Sequence, residues 1–289
     1  MTGRRALPAD IVAVVSDVDG TLVRSDKSVA PATVEAARKL SGAGVKFAIV
    51  SSRPPRGLTA IIRLLNIAAP VAGFNGGVVV SPGLSVIDSH LIAPDAARRA
   101  VETIAAAGAD TWVFSGNEWF VRDHSASRVA LEQRTVGFEP VAVDDFTAVV
   151  GTAAKIVAVS DDFALLTRLQ GQVREQLAGV ANIARSQNYY LDFTHPLANK
   201  GNALLELAKL MAVPPAHTAA IGDGENDVDM FAQAGLSIAM GNAAAEVRHA
   251  ADFVTGRNDD DGAAAAIDWF ILGARRTAIG DGAKPRDVA

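Results

Sequence analysis

Five consecutive apolar residues, Ile11-Val12-Ala13-Val14-Val15, most of them β-branched, run into Asp17-Val18-Asp19-Gly20-Thr21-Leu22. A run with no polar alternation has no face to offer water. It therefore predicts a strand buried on both sides, as in a parallel sheet covered by helices. In such sheets ligands bind beyond the carboxyl ends of the strands, so Asp17 and Asp19 stand where chemistry is expected. Alternation directs both carboxylates to one side, and Gly20 permits a tight exit. Acidic residues and glycine after a strand are equally ordinary turn formers, and DxDGT alone does not decide between the two. An EF-hand is a poor match, because the third acidic position and the closing glutamate are missing.

Strand and helix signals then alternate. A helix after Pro31 carries Val34, Ala37 and Leu40 on one face and stops at Gly42/Gly44. A strand over Val45–Val50 precedes a helix with Leu58, Ile61, Ile62 and Leu65 at i, i+3, i+4, i+7, and Val71–Phe74 reads as a short third strand. The pattern resumes near residue 198, with a helix bearing Leu204, Leu207, Ala208 and Met211. Strands at Thr218–Ile221, Leu236–Ala239 and Phe253–Val254 and a last helix bearing Ala263, Ile267, Phe270 and Ile271 follow. The residues after Arg275 read as a loose tail. Residues 83–194 differ: a hairpin over Trp112–Val121 turning at Gly116-Asn117, helices around Val101/Ile104 and Leu166/Leu169/Val173, and strands at Lys155–Ser160, Val180–Ser186 and Tyr189–Thr194. The expectation is an α/β fold: a Rossmann-like core of residues 1–82 and 195–289 with a parallel sheet, and an inserted α/β cap of residues 83–194.

A chain of 289 residues has room for two such units. With 27 Lys and Arg against 32 Asp and Glu, the net charge of −5 argues against nucleic acid, which needs a concentrated basic surface. There is no cysteine, and none of the five histidines forms an HxxxH pair, so thiolate chemistry and zinc are disfavoured. A metal would have to be held by carboxylates, which favours a hard ion such as Mg2+. No apolar run approaches the ~18 residues of a membrane span, and Met1–Asp10 does not read as a signal peptide. The expected setting is the cytoplasm, without membrane partners.

A second acidic motif, Gly222-Asp223-Gly224-Glu225-Asn226-Asp227, also follows an apolar strand. With a helix starting near Asn226, Asp223 and Asp227 face one point, although an acidic N-cap with a glycine turn explains the motif equally well. Ser51 ends the second strand and either caps the next helix or serves the site. Lys200 opens a helix, the end at which the helix dipole disfavours a cation; a bound phosphate would compensate it.

DVDGT, Ser51, Lys200 and GDGEND fall in an order that resembles the haloacid dehalogenase superfamily from Asp17 to the Val254–Leu272 region. The likeness is greatest to its Cof-like sugar phosphatases with a large α/β cap. Lys200-Gly201-Asn202-Ala203-Leu204, Asn75-Gly76-Gly77 and Gly222 to Met230 are similar to that group's signatures. One departure is Ser51-Ser52-Arg53 where the family usually has threonine-glycine-arginine, which puts the local turn in question. The resemblance implies a magnesium-dependent phosphatase acting on a small phosphorylated metabolite, a sugar phosphate, as a monomer or homodimer. It implies Asp17 as nucleophile, forming an aspartyl phosphate, and Asp19 as general acid and base with a raised pKa. Mg2+ is held by Asp17, the backbone carbonyl of Asp19 and Asp223, with Asp227 orienting water or Lys200 behind it. Ser51, Lys200 and Asn226 hold the phosphate oxygens, and Thr21 orients Asp19.

The competing readings are a phosphomutase on sugar phosphates, a receiver-like switch using the same residue types, and a non-catalytic phosphate-binding module. Arg122, His124, Gln187 and Tyr189 are polar or aromatic candidates for cap specificity, whereas Trp112, Trp119 and Phe120 read as cap core.

Overall fold

Strand β1 (Ala13–Ser16) is buried along its whole length in the computed structural model, which describes residues 10–273. It is followed by α1 (Pro31–Gly42), β2 (Lys46–Ile49) and α2 (Thr59–Leu64). Three short strands come next, β3 (Val71–Gly73), β4 (Val78–Val80) and β5 (Val86–Ser89). The middle of the chain forms α3 (Pro94–Ala107), β6 (Asp110–Ser115), β7 (Glu118–Val121), α4 (Val129–Val136), β8 (Val141–Ala142), β9 (Ala153–Val159), α5 (Phe163–Gln176), β10 (Asn182–Gln187) and β11 (Tyr190–Thr194). The last part contains α6 (Lys200–Leu210), β12 (Thr218–Gly222), α7 (Val228–Gln233), β13 (Leu236–Ala239), α8 (Ala245–Ala250), β14 (Phe253–Val254) and α9 (Gly262–Ala266).

The expected parallel sheet is present, in the order β14-β13-β12-β1-β2. Its strands come from both ends of the chain. Apolar residues that alternate along β1 and its neighbours feed two separate cores. Val14, Ile49 and Ile221 lie in one, and Ala13, Val15, Ala48 and Ala220 in the other, under α6 and α7. Both faces are thus covered, which is why the strands read as unbroken apolar runs.

The register matters most. Ser16 stands opposite Ile221 on β12 and opposite Ile49 on β2. The residues just past these strands, Asp17, Ser51 and Asp223, therefore leave the sheet at one edge, where strand order reverses about β1.

Two expectations are corrected here. Val71–Phe74 does not extend the parallel sheet. The strand, β3, touches it through a single bridge, Val50 to Ala72, and pairs antiparallel with β4 in a separate three-stranded sheet β3-β4-β5. The last helix is α-helical only to Ala266 and continues as a wider π-type turn over Ile267–Leu272. The loose tail read after Arg275, and residues 1–9 of the N-terminal segment, lie outside the described residues.

The middle segment forms a six-stranded sheet, β10-β11-β9-β6-β7-β8, antiparallel except for the β7–β8 pair. One face packs on α3 and α5 through Ala97, Ile104, Leu166 and Phe193. The opposite face turns toward the parallel-sheet unit. Phe114 on it meets Phe74 edge-on at 5.5 Å, and Arg56 pairs with Glu118 at 2.5 Å while lying over the Phe138 ring. Trp112 and Trp119 are buried in the cluster that also holds Phe74 and residues of the parallel-sheet unit, and Phe120 is half-buried against the other face. No helix among the described residues is long and apolar enough to cross a membrane.

Candidate active site

Lys200 is 2% exposed, yet it carries a charge. Its Nζ donates to Asp17 Oδ1 and to Asp227 Oδ1, both at 2.6 Å. These two pairs supply the compensation that a cation at a helix N-terminus requires. The α6 start is fixed by Asn199, whose side chain accepts from the Asn202 amide at 2.9 Å.

Asp17 follows β1 directly, its amide bonded to Ile221 O at 2.9 Å, so it is fastened to the neighbouring strand before its side chain turns to Lys200. Asp227 Oδ2 accepts from the amides of Asp223 and Gly224, both at 2.8 Å, which closes the GDGEND turn on itself. Asp223 accepts from Thr21 Oγ1 and from Asn242 Nδ2, both at 3.1 Å. The close approach of the two motifs explains Gly20. Its φ is +83°, and a Cβ there would fall 2.3 Å from Asp223 Oδ2.

Asp17, Asp223 and Asp227 place one carboxylate oxygen each within 4.8 Å of one another. Three hard oxygen donors this close suit a small divalent cation such as Mg2+. Burial pushes the Asp17 carboxyl up to about 8, with Lys200 opposing and Asp227 and Asp223 adding to the rise. Asp223 is pushed up to about 6, first by burial and then by the charge of Asp227. Lys200 shows the converse balance: burial disfavours its charge, but Asp17 and Asp227 outweigh burial and raise its pKa.

Asp19 departs from expectation. Its carboxylate does not join the other three. Arg53 grips it from two sides, Nε to Oδ2 and a terminal nitrogen to Oδ1, both at 2.6 Å, and Lys27 adds a contact at 2.8 Å. Burial would raise its pKa, but Arg53 and then Lys27 prevail, and the pKa is lowered, the reverse of the rise expected from neighbouring carboxylates. Thr21 is likewise corrected, since its hydroxyl bonds Asp223 and not Asp19.

Ser51 is buried, and its Oγ accepts from the Arg53 amide at 3.1 Å. Ser52 has no positive φ, so the turn does not require the glycine that usually stands there. Asn226 is exposed and donates to Asn75 Oδ1 at 3.1 Å, tying the second acidic motif to the Asn75-Gly76-Gly77 turn. Of the cap candidates, Arg122, His124 and Gln187 are exposed and Tyr189 packs under Arg128.

Three residues beside the site were not singled out from sequence: Arg53, Lys27 and Asn242. Asn242 bonds both Gly20 O and Asp223, joining the first and last motifs. A readable signal existed for two of them. Arg53 lies four residues past β2, and Asn242 lies three past β13, at the same edge of the sheet. Lys27 gave none.

The family of haloacid dehalogenase-like hydrolases has a model that matches residues 14–267. A Haemophilus influenzae protein described as a putative phosphatase is 28% identical over 258 residues, covering 89% of this chain and 97% of its own. An Escherichia coli 5-amino-6-(5-phospho-D-ribitylamino)uracil phosphatase is 27% identical, with 89% and 95% covered. The crystal structure of a haloacid dehalogenase-like hydrolase from Bacteroides thetaiotaomicron superposes with a TM-score of 0.83 at 26% identity, covering 89% of this chain and 98% of the other. With the matched region holding Asp17, Ser51, Lys200 and Asp223 at one sheet edge, the chain belongs to the haloacid dehalogenase-like hydrolases.

Proposed function

We propose that the protein is a magnesium-dependent phosphatase that hydrolyses the phosphate monoester of a small metabolite, a sugar phosphate, through an aspartyl phosphate on Asp17. The observation that carries this reading is the buried group in which Lys200 joins Asp17 and Asp227 while Asp223 lies within 4.8 Å. Three carboxylates around one lysine leave uncompensated negative charge in a buried place, which a divalent cation corrects. Asp17, Asp223 and Asp227 would hold the ion. Bound there, Mg2+ supplies the positive charge that lets a carboxylate approach an anionic phosphoryl group.

The steps follow from the side chains. A carboxylate oxygen of Asp17 attacks phosphorus, the bond from phosphorus to the ester oxygen breaks, and Asp19 gives its proton to the departing oxygen. Asp19, now a base, takes a proton from water. The water oxygen bonds to phosphorus, the bond from phosphorus to Asp17 breaks, and inorganic phosphate leaves with Asp17 restored. Arg53 and Lys27 hold Asp19 ionised at rest, the form that the second step uses. For the first step Asp19 takes up a proton from solvent, which requires its bonds to Arg53 and Lys27 to open. Ser51, Lys200 and Asn226 serve the phosphate oxygens.

In the same reading, residues 1–82 and 195–289 are the catalytic core and 83–194 a cap that closes over it and excludes water. The cytoplasm is the setting of a chain without a disulfide framework.

The test is release of inorganic phosphate from p-nitrophenyl phosphate with and without Mg2+. Asp17→Asn and Asp19→Asn are each expected to abolish turnover while the circular dichroism spectrum is kept. Full activity in either variant would reject the assigned roles.

A further inference from the structure

The chain passes between the two units twice, and one histidine stands in each passage. Going out, the His90 amide donates to Gly77 O at 2.8 Å and the Ile92 amide donates to Ala153 O on β9 at 2.9 Å, so the crossing turns on Leu91. Coming back, Thr194 is still in register with Asn182 and Lys155 of the six-stranded sheet, while Asn199 already caps α6. The rings of His90 and His195 stack across the two passages, with centroids 5.4 Å apart and planes 20° from parallel.

Three features of His195 suit the neutral ring alone. Its Nδ1 accepts from the Leu197 amide at 3.1 Å, which a protonated nitrogen cannot do. The ring is half-buried, and burial lowers its pKa, with the charge of His90 lowering it further. Stacked neutral rings attract, whereas two stacked imidazoliums repel. The charged groups of the adjoining elements are committed elsewhere. Asp88, two residues before His90, accepts from the Ser89 amide. Lys155, beside Thr194, is held by Asp192 at 2.7 Å, and Lys200 is held by Asp17 and Asp227.

We propose that His90 and His195 form a pH-sensitive latch on the hinge between the two units, fastened while both rings are neutral and released when they take up protons. The proposal rests on the reading of residues 83–194 as a closing cap and names what governs its closure. The cap lies on the parallel-sheet unit through Phe114 on Phe74 and through Arg56 and Glu118, and the stacked pair holds the two passages together in that arrangement. Protonation removes the Leu197 bond and sets two cations ring against ring, so the passages part and the cap lifts. The turn that this loosens ends at Asn199, next to Lys200, so release also reaches the lysine of the site. The sign follows from the lowered pKa of His195: the latch is in force above the ordinary value of 6.5 and is lost as pH falls through the lower folded value.

The chain has no cysteine, so Arg63→Cys on α2 and Arg134→Cys on α4, both exposed and one in each unit, take spin labels at those two places alone. The distance between the labels is read by pulsed electron resonance at about pH 8 and about pH 5.5. A component longer by about 5 Å or more is expected at the lower pH. His195→Asn keeps an acceptor for the Leu197 amide but does not titrate, and its distances are expected to be the same at both pH values. His90→Phe keeps a ring and removes one charge, and its lengthening is expected to be smaller than that of the unsubstituted pair. An unchanged distance in the labelled protein with both histidines overturns the latch, as does an equal lengthening in His195→Asn. Turnover reads the same event. The ratio of kcat/KM on p-nitrophenyl phosphate with Mg2+, His195→Asn over wild type, is expected to rise about fivefold from the higher pH to the lower, and in this ratio the titration of the catalytic carboxylates cancels. A flat ratio overturns the latch as a control on turnover. If neither protein releases phosphate, the phosphatase reading itself has failed, and the label distances alone decide the latch.

Discussion

Lys200 illustrates how much a single buried charge organises. It occupies the first turn of α6, the wrong end for a cation, and it is held by Asp17 and Asp227 at 2.6 Å each. Lys200→Met is expected to lower kcat by about 10²–10³-fold, the scale of removing one preorganised donor from a transition state; an unchanged kcat would place the lysine outside the chemistry. The carboxylates make a separate prediction. A carboxylate whose folded pKa exceeds its unfolded value takes up protons on folding, so its contribution is present at low pH and lost as pH rises. With Asp17 raised from 3.8 to about 8 and Asp223 from 3.8 to about 6, the metal-free protein should lose stability between those limits. Mg2+ competes with these protons, so the gain in Tm on adding it is expected to be greater at about pH 8 than at about pH 5.5. An equal gain at both would show that these carboxylates do not hold the ion. Asp17, Asp223 and Lys200 were legible because each adjoins an apolar run or a helix start. The lowered pKa of Asp19 was not, because Lys27 and Arg53 reach it only through the turns that carry them.

Among the elements, α1 and α6 were legible in the sequence, whereas α7, α8 and β5 were not. Helix α1 and helix α6 each present several apolar residues on one face. Helices α7 and α8 have six residues each, too few for a periodic signal, and β5 is exposed on both faces and shows no alternation. Turns between elements position the chemistry. Asn199→Ala removes the α6 cap and should cost about 1 kcal/mol in urea unfolding, with a loss of kcat because Lys200 is the next residue. Gly222 ends β12 where a Cβ would stand 2.5 Å from Asp227 Oδ2. Gly222→Ala is therefore expected to displace Asp227 and destabilise the protein by about 2 kcal/mol; a Tm equal to wild type would show that the turn has room.

At the scale of the molecule, the parallel-sheet unit and the six-stranded unit meet through Phe74 and Phe114, with Trp119 stacked behind Phe114 at 5.8 Å. Phe114→Ala is expected to cost about 3–5 kcal/mol, as for other buried Phe truncations, and to split thermal unfolding into two calorimetric steps as the units uncouple. The Arg56–Glu118 pair, with both side chains 41% exposed, should contribute far less, under about 1 kcal/mol in a double-mutant cycle. The amino-acid order alone determined the α/β class, the buried strands and the acids beyond their ends, because apolar periodicity and strand termini are local properties of the chain. It also carried the alternation Tyr190-Leu191-Asp192-Phe193-Thr194, but not which of those two faces would meet the catalytic edge. Only tertiary structure decided that Asp19 pairs with Arg53, that Asn242 joins Gly20 to Asp223, and that Lys155 and Asp192 share a buried face. These contacts join residues up to 222 apart in sequence, and their partners are chosen by sheet register and strand order, which no local window of sequence contains.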